Sequence, residues 1–186
     1  AIHAIGERPN EMLVDILELV TRSNGPRDRR FRIEHAERAN AETLRRYAAV
    51  SAIASVQPYL FNGGAGTGYY RSIIRAGVTL ALGSDAPMTE FDPIRTIAAA
   101  TSSNGGPQSG LSVHEAVYAH TVGSAYAEFQ EKAKGKIGKS MPADLVIISE
   151  NLFTADRLRM ESAKALMTIM DGKVVYEDKT LLRQVR

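Results

Sequence analysis

Apolar residues at Met12, Leu13, Ile16, Leu17 and Val20 recur at offsets of one, three, one and three, the 3.6-residue period of an amphipathic helix. Asn10 stands where an N-cap belongs, so the pattern predicts a helix from Asn10 to Arg22. Ser23-Asn24-Gly25-Pro26 is turn chemistry, and Phe31 to His35 alternates apolar and polar positions as a short strand does. Further along, Asn40 caps a helix through Val50, Ala52 to Val56 form a strand ending at Gln57-Pro58, Tyr70 to Ala76 form a helix stopped by Gly77, and Val78 to Leu82 form a strand. Ala1 to Ile5 reads as the end of another strand. Pro93 to Ser102 and Val113 to Phe129 are helical, the second opened by Ser112 and Glu115 in capping-box spacing. Ala143 to Ile148 is a strand, and Ala165 to Met170 with Lys173 to Tyr176 form a hairpin around Asp171-Gly172.

Polar strand ends fall at His3, His35, Gln57 and Asp85, in steps of 32, 22 and 28 residues, which is a repeating strand-helix unit. Short apolar strands separated by amphipathic helices build a parallel sheet covered on one face, and a barrel of such units carries its chemistry at the strand C-termini. A full barrel takes about 250 residues. A chain of 186 residues with four such strands therefore predicts an α/β fold of roughly half a barrel plus a small β-rich tail, with the boundary at 135/136. The opening residues read as mid-element, so the sequence is expected to be a piece of a longer protein.

The 23 basic and 21 acidic residues give +2, interleaved along the chain without a basic stripe, so nucleic acid is not an expected partner. No apolar run approaches the ~18 residues of a bilayer span, and no signal-peptide layout opens the chain. A membrane is therefore not an expected partner, and the expected compartment is the cytoplasm. There is no cysteine, so any metal must be held by His, Asp or Glu. His3, His35 and Asp85 share the strand-end rim, and two imidazoles with one carboxylate suit Zn²⁺ or a similar ion, which lowers the pKa of a bound water. Each has a plainer reading: His3 as a hydrogen-bonded rim histidine, Glu34-His35 as an ion-paired strand end, Asp85 as an Asx turn before Ala86-Pro87. Their common rim weighs for the metal. His114 is expected to be solvated and His120 to pack or cap within its helix. The glycine-rich stretch from Asn62 to Gly68 lacks the phosphate-loop arrangement and reads as a substrate-facing loop.

His3-Ala4-Ile5-Gly6, Arg32-Ile33-Glu34-His35-Ala36, Ser55-Val56-Gln57-Pro58 and Gly83-Ser84-Asp85-Ala86-Pro87 resemble, in order, signatures of the amidohydrolase superfamily, most of all amidohydrolase family 3, the group of the N-substituted formamide deformylase-like enzymes. The resemblance continues through His120-Thr121, Ala125-Tyr126-Ala127 and Ala143-Asp144-Leu145-Val146. It implies the C-terminal half of a (β/α)8 TIM-type metal-dependent hydrolase barrel, strands five to eight, in residues 1–135. Residues 136–186 would then be the C-terminal part of a composite β-sandwich domain. It implies one or two divalent ions, zinc above all, with His3, His35 and Asp85 as ligands. Asp85 would also shuttle the proton, and His35 would bind metal or polarise the substrate carbonyl. The family's first-strand His-x-His pair and strand-four residue have no counterpart here. The expected reaction is hydrolysis of an amide or similar non-peptide C–N bond of a small molecule. The expected partner is the missing N-terminal half of the barrel or a second copy. Two alternatives stay open: a non-catalytic C-terminal subunit or proteolytic remnant serving assembly, and cyclic-amidine or aminohydrolase chemistry at the same site.

Overall fold

Four short strands, β1 (Ile2–His3), β2 (Arg32–Glu34), β3 (Ile53–Val56) and β4 (Thr79–Leu82), pair in chain order as one parallel sheet. The computed structural model describes residues 1–62, 70–102 and 110–182, so most of the glycine-rich loop read from the sequence lies outside the described residues. Between the strands run the helices α1 (Glu7–Asn24), α2 (Ala41–Ala49), α3 (Pro58–Asn62) and α4 (Tyr70–Arg75). Sequential strands joined by helices and lying side by side are the strand-helix repeat expected from the spacing.

The register sorts the side chains onto two faces. Ile33, Ala54 and Leu80 form one row, continued by Val56 and Leu82. All five are buried against Leu13, Val14 and Leu17 of α1, Leu44 and Tyr47 of α2, and Tyr70 and Ile73 of α4. The opposite face carries the rows His3–Glu34–Ser55–Ala81 and Arg32–Ile53–Thr79. It is half polar, with Arg32 Nε 2.5 Å from Glu34 Oε1, while Ile53 and Ala81 pack on Tyr126 and Ala127.

Helix ends follow the sequence at most places. Asn40 accepts from Thr43 N–H as the cap of α2, and Ser112 and Glu115 close a reciprocal capping box on α6 (Val113–Tyr118). Asn10 does not cap. α1 begins three residues earlier, after Gly6. Asn10 is fully buried, and its side-chain amide donates to Ala4 O and Gly6 O, both at 2.7 Å, while its Oδ1 accepts from Tyr47 Oη at 2.9 Å. The side chain thus satisfies carbonyls leaving β1 instead of orphan N–H groups of a helix start.

The long helix predicted from Val113 is also interrupted. α6 passes into a π-helical turn, Ala119–Gly123, before a short α7 (Ser124–Ala127). The π turn lies close against β4: a Cβ placed on Gly123 would stand 2.2 Å from Leu80 O. Past α7, Arg30 ties the chain back to the start of β2. Its guanidinium lies 3.8 Å and 4.2 Å from the ring centroids of Tyr126 and Phe129 and grips both carboxylate oxygens of Glu131 at 2.9 Å. That bidentate bond holds the Glu131 carboxyl down to about 2.

A second, antiparallel sheet has the order β5 (Leu145–Ile148), β6 (Ala165–Met170), β7 (Lys173–Glu177), with the Asp171-Gly172 hairpin in place. It joins the first part through α8 (Arg157–Ser162), which packs on α5 (Pro93–Ala100), and Arg157 Nη1 donates to Ser102 Oγ at 2.9 Å. α9 (Lys179–Leu182) follows β7. Among the described residues, no helix is long and apolar enough to cross a membrane.

Two stability predictions follow from these contacts. Gly123→Ala forces β4 and the π turn apart and should lower the unfolding free energy by about 1–3 kcal/mol, the usual range for overpacking, read by urea denaturation. Glu131→Gln should destabilise at neutral pH. Because the folded carboxyl titrates below its ordinary value of 4.5, its contribution is present above that pH and fades as pH falls toward about 2. The difference between wild type and variant should therefore shrink over that window, and a constant difference would contradict the pairing.

Candidate functional site

The parallel register brings the C-terminal ends of all four strands to one rim, and the sequence-predicted residues meet there. His3 is the last residue of β1 and is exposed; His35 follows β2 and is buried. Their rings lie edge to face with centroids 4.6 Å apart. His35 Nε2 is 3.9 Å from Asp85 Oδ2, beyond β4. His35 therefore stands between His3 and Asp85.

Both His35 (φ 62°) and Asp85 (φ 59°) adopt left-handed backbone, an unfavourable conformation for residues with a Cβ that is often kept at working sites. The Asx-turn reading of Asp85 fails on its hydrogen bonds. Ala86 N–H donates to Ser84 Oγ at 3.3 Å, Pro87 has no N–H to give the Asp85 carboxylate, and Met88 N–H donates to the Asp85 main-chain carbonyl at 2.8 Å. Its carboxylate is left facing His35.

Gln57, after β3, completes the rim through a residue that the sequence reading missed. Glu37 sits in the 3₁₀ turn Ala36–Arg38 and is buried, with Oε1 accepting from Gln57 N–H at 2.5 Å. Burial pushes its carboxyl up to about 7, with Asp85 and Glu34 adding like-charge repulsion. An acidic residue between Ala36 and Ala39, in a turn just past a strand-end histidine, was the only cue, and it reads as surface charge. Two other sequence expectations hold: His114 is exposed, its ring tilted on Phe153, and His120 packs with Nδ1 3.1 Å from Leu82 O. Burial pushes the His120 pKa down.

Two imidazoles and a carboxylate are a donor set that fits a borderline divalent ion in chemistry. They form a row instead of a closed cage: among the described residues no group of three or more His, Asp or Glu side chains is arranged to hold a metal ion. The surrounding face supplies polar groups, with Arg32, Glu34 and Ser55 in the rows below the rim.

The family model described as the amidohydrolase family matches residues 1–176, nearly the whole chain. The chain belongs to the amidohydrolase family. Among its relatives, the protein LONG AFTER FAR-RED 3 of Arabidopsis thaliana is 32% identical over 95% of this chain and 34% of its own length. The N-substituted formamide deformylase of Arthrobacter pascens is 26% identical over 95% of the chain and 36% of its own. Of solved structures, an amidohydrolase from Thermotoga maritima shares the fold at a TM-score of 0.70 and 18% identity, covering 96% of this chain and 43% of that one. A metal-dependent hydrolase from Pyrococcus furiosus gives 0.63 at 25% identity, over 76% and 31%. This amidohydrolase chain thus spans about a third of the length of the curated relatives it matches.

Proposed function

We propose that this chain carries the strand-five to strand-eight side of a metal-dependent hydrolase site that cleaves an amide or similar C–N bond of a small, non-peptide molecule. The observation that carries the reading is the meeting of His3, His35 and Asp85 at one strand-end rim, with His35 touching the other two. These three residues would hold a divalent ion, zinc or a similar one. Bound there, the ion would supply Lewis acidity toward water and the substrate carbonyl. Asp85 takes the proton of the attacking water on a carboxylate oxygen and returns it to the leaving nitrogen, so that C–O forms as C–N breaks. His35, buried and fixed between its neighbours, holds the ion or steadies the charge on the carbonyl oxygen. The names of the Arthrobacter and Pyrococcus relatives support this class of chemistry.

The same proposal extends to the rest of the barrel. The sheet has β1 and β4 as its edges, and the half-polar face bearing Arg32 and Glu34 is suited to line an interior shared with further strands. Those strands would come from a longer chain or a second copy, and residues 136–186 would form a separate β-rich domain.

The test is Asp85→Asn in the intact protein, assayed on a panel of formamides and amides. Asparagine keeps the side-chain shape and the main-chain turn but cannot take a proton. The expected loss in kcat is ~10²- to 10⁴-fold, the usual worth of a general base, with the metal content of the same sample largely kept and the melting temperature little changed. Near-normal turnover at full metal content would remove Asp85 from the mechanism.

A further inference from the structure

The strain at His35 points to a device that holds it. In the ladder between β2 and β3, Ile53 N–H donates to Phe31 O at 2.8 Å, and His35 N–H donates to Ser55 O at 3.0 Å. Parallel ladders repeat every two residues. The acceptor next in line for Gln57 N–H is therefore His35 O. The left-handed backbone at His35 (φ 62°, ψ 42°) turns the chain out of the strand there, and the Gln57 donor would be stranded in a buried setting, since Gln57 is only 5% exposed. Glu37 supplies the substitute: its Oε1 accepts the Gln57 N–H at 2.5 Å from within the next turn.

Two bonds to β3 thus bracket His35, one from its own N–H and one through the side chain two residues on. A left-handed residue with a Cβ persists only where its surroundings over-determine it, and this bracket is such a constraint. Glu37 is 6% exposed, between the buried Ala36 and Ala39, so little else competes for its carboxylate. Its Oε2 has no hydrogen-bond partner among the described residues, so it is through Oε1 that this side chain is tied to the end of β3.

We propose that Glu37 is a positioning residue, which clamps the turn after β2 onto the end of β3 and so aims the His35 imidazole between His3 and Asp85. The inference rests on the metal-centre reading proposed above. What Glu37 must supply is a hydrogen-bond acceptor at Oε1, so Glu37→Gln, which retains one, should rescue where apolar residues of similar size do not.

The experiment titrates Co²⁺ alone into the full chain and follows the visible ligand-field spectrum, with circular dichroism and thermal melting on the same samples. Glu37→Leu and Glu37→Met are two acceptor-free variants that keep the buried volume. Glu131→Gln, which weakens the grip of Arg30 just before the start of β2, at the opposite end of the strand from the rim, is a control for stability loss away from the site. Outer partners of ligating histidines are typically worth ~10- to 100-fold in metal affinity. The Leu and Met variants should bind Co²⁺ that much more weakly and with an altered spectrum, whereas Glu37→Gln and Glu131→Gln should bind as wild type does. A folded Leu or Met variant with wild-type affinity and spectrum would overturn the positioning role, and so would a Gln variant as weak as Leu. If wild type takes up no Co²⁺, the metal-centre reading falls and the role of Glu37 falls with it.

Discussion

The register of the four-stranded parallel ladder is the constraint on which the rest depends. Pairing Ile33 with Ala54 and Leu80 does two things at once. It turns one row of apolar side chains into the helices, and it places His3, His35, Gln57 and Asp85 at one end of the sheet although they lie 32, 22 and 28 residues apart. A slip of one residue would move Ile33 to the half-polar face and Arg32 or Glu34 into the apolar layer. Burial of that layer therefore holds the candidate site together as firmly as it holds the core.

Around this ladder, the strand exits are tied individually by buried polar contacts. Asn10 gathers the carbonyls of Ala4 and Gly6 just past His3, and Tyr47 from the neighbouring helix holds Asn10. Glu37 ties the turn after His35 to Gln57. Leu82 O, three residues before Asp85, is held by His120 Nδ1 at 3.1 Å and by Ser124 Oγ at 3.3 Å, both from the segment whose π turn and Gly123 let the backbone come close to β4. The strand exits at the candidate residues His3, His35 and Asp85 are thus each backed by a polar side chain from outside the strand, the arrangement that keeps a site rigid on a scaffold of short strands.

How much of this could be read from the sequence depends on the range of each interaction. Local signals were legible: Asn40 before α2, Ser112 with Glu115 before α6, and the Asp171-Gly172 hairpin are set by neighbours a few residues away. The period of the strand-helix unit was legible too, because each strand end is marked by a polar residue after an apolar run, and it brought His3, His35 and Asp85 to one rim. Asn10 was misread because its amide can cap N–H groups or satisfy carbonyls, and only the buried position near Ala4 and Tyr47 decides between them. Glu37 and the π turn were hidden for a related reason. The acceptor that Gln57 needs and the space that Gly123 leaves for Leu80 O are set by elements distant in sequence, and no pattern around either residue announces them.

The central claim is that His3, His35 and Asp85 form one metal centre at the strand-end rim. The most direct measurement is a crystal structure of the protein grown with Zn²⁺, with anomalous diffraction collected on both sides of the zinc edge. The account predicts an anomalous peak bonded to His3, His35 and Asp85, with the His35 imidazole turned toward it. Zinc bound at other side chains, while these three keep their row without an ion, would contradict it.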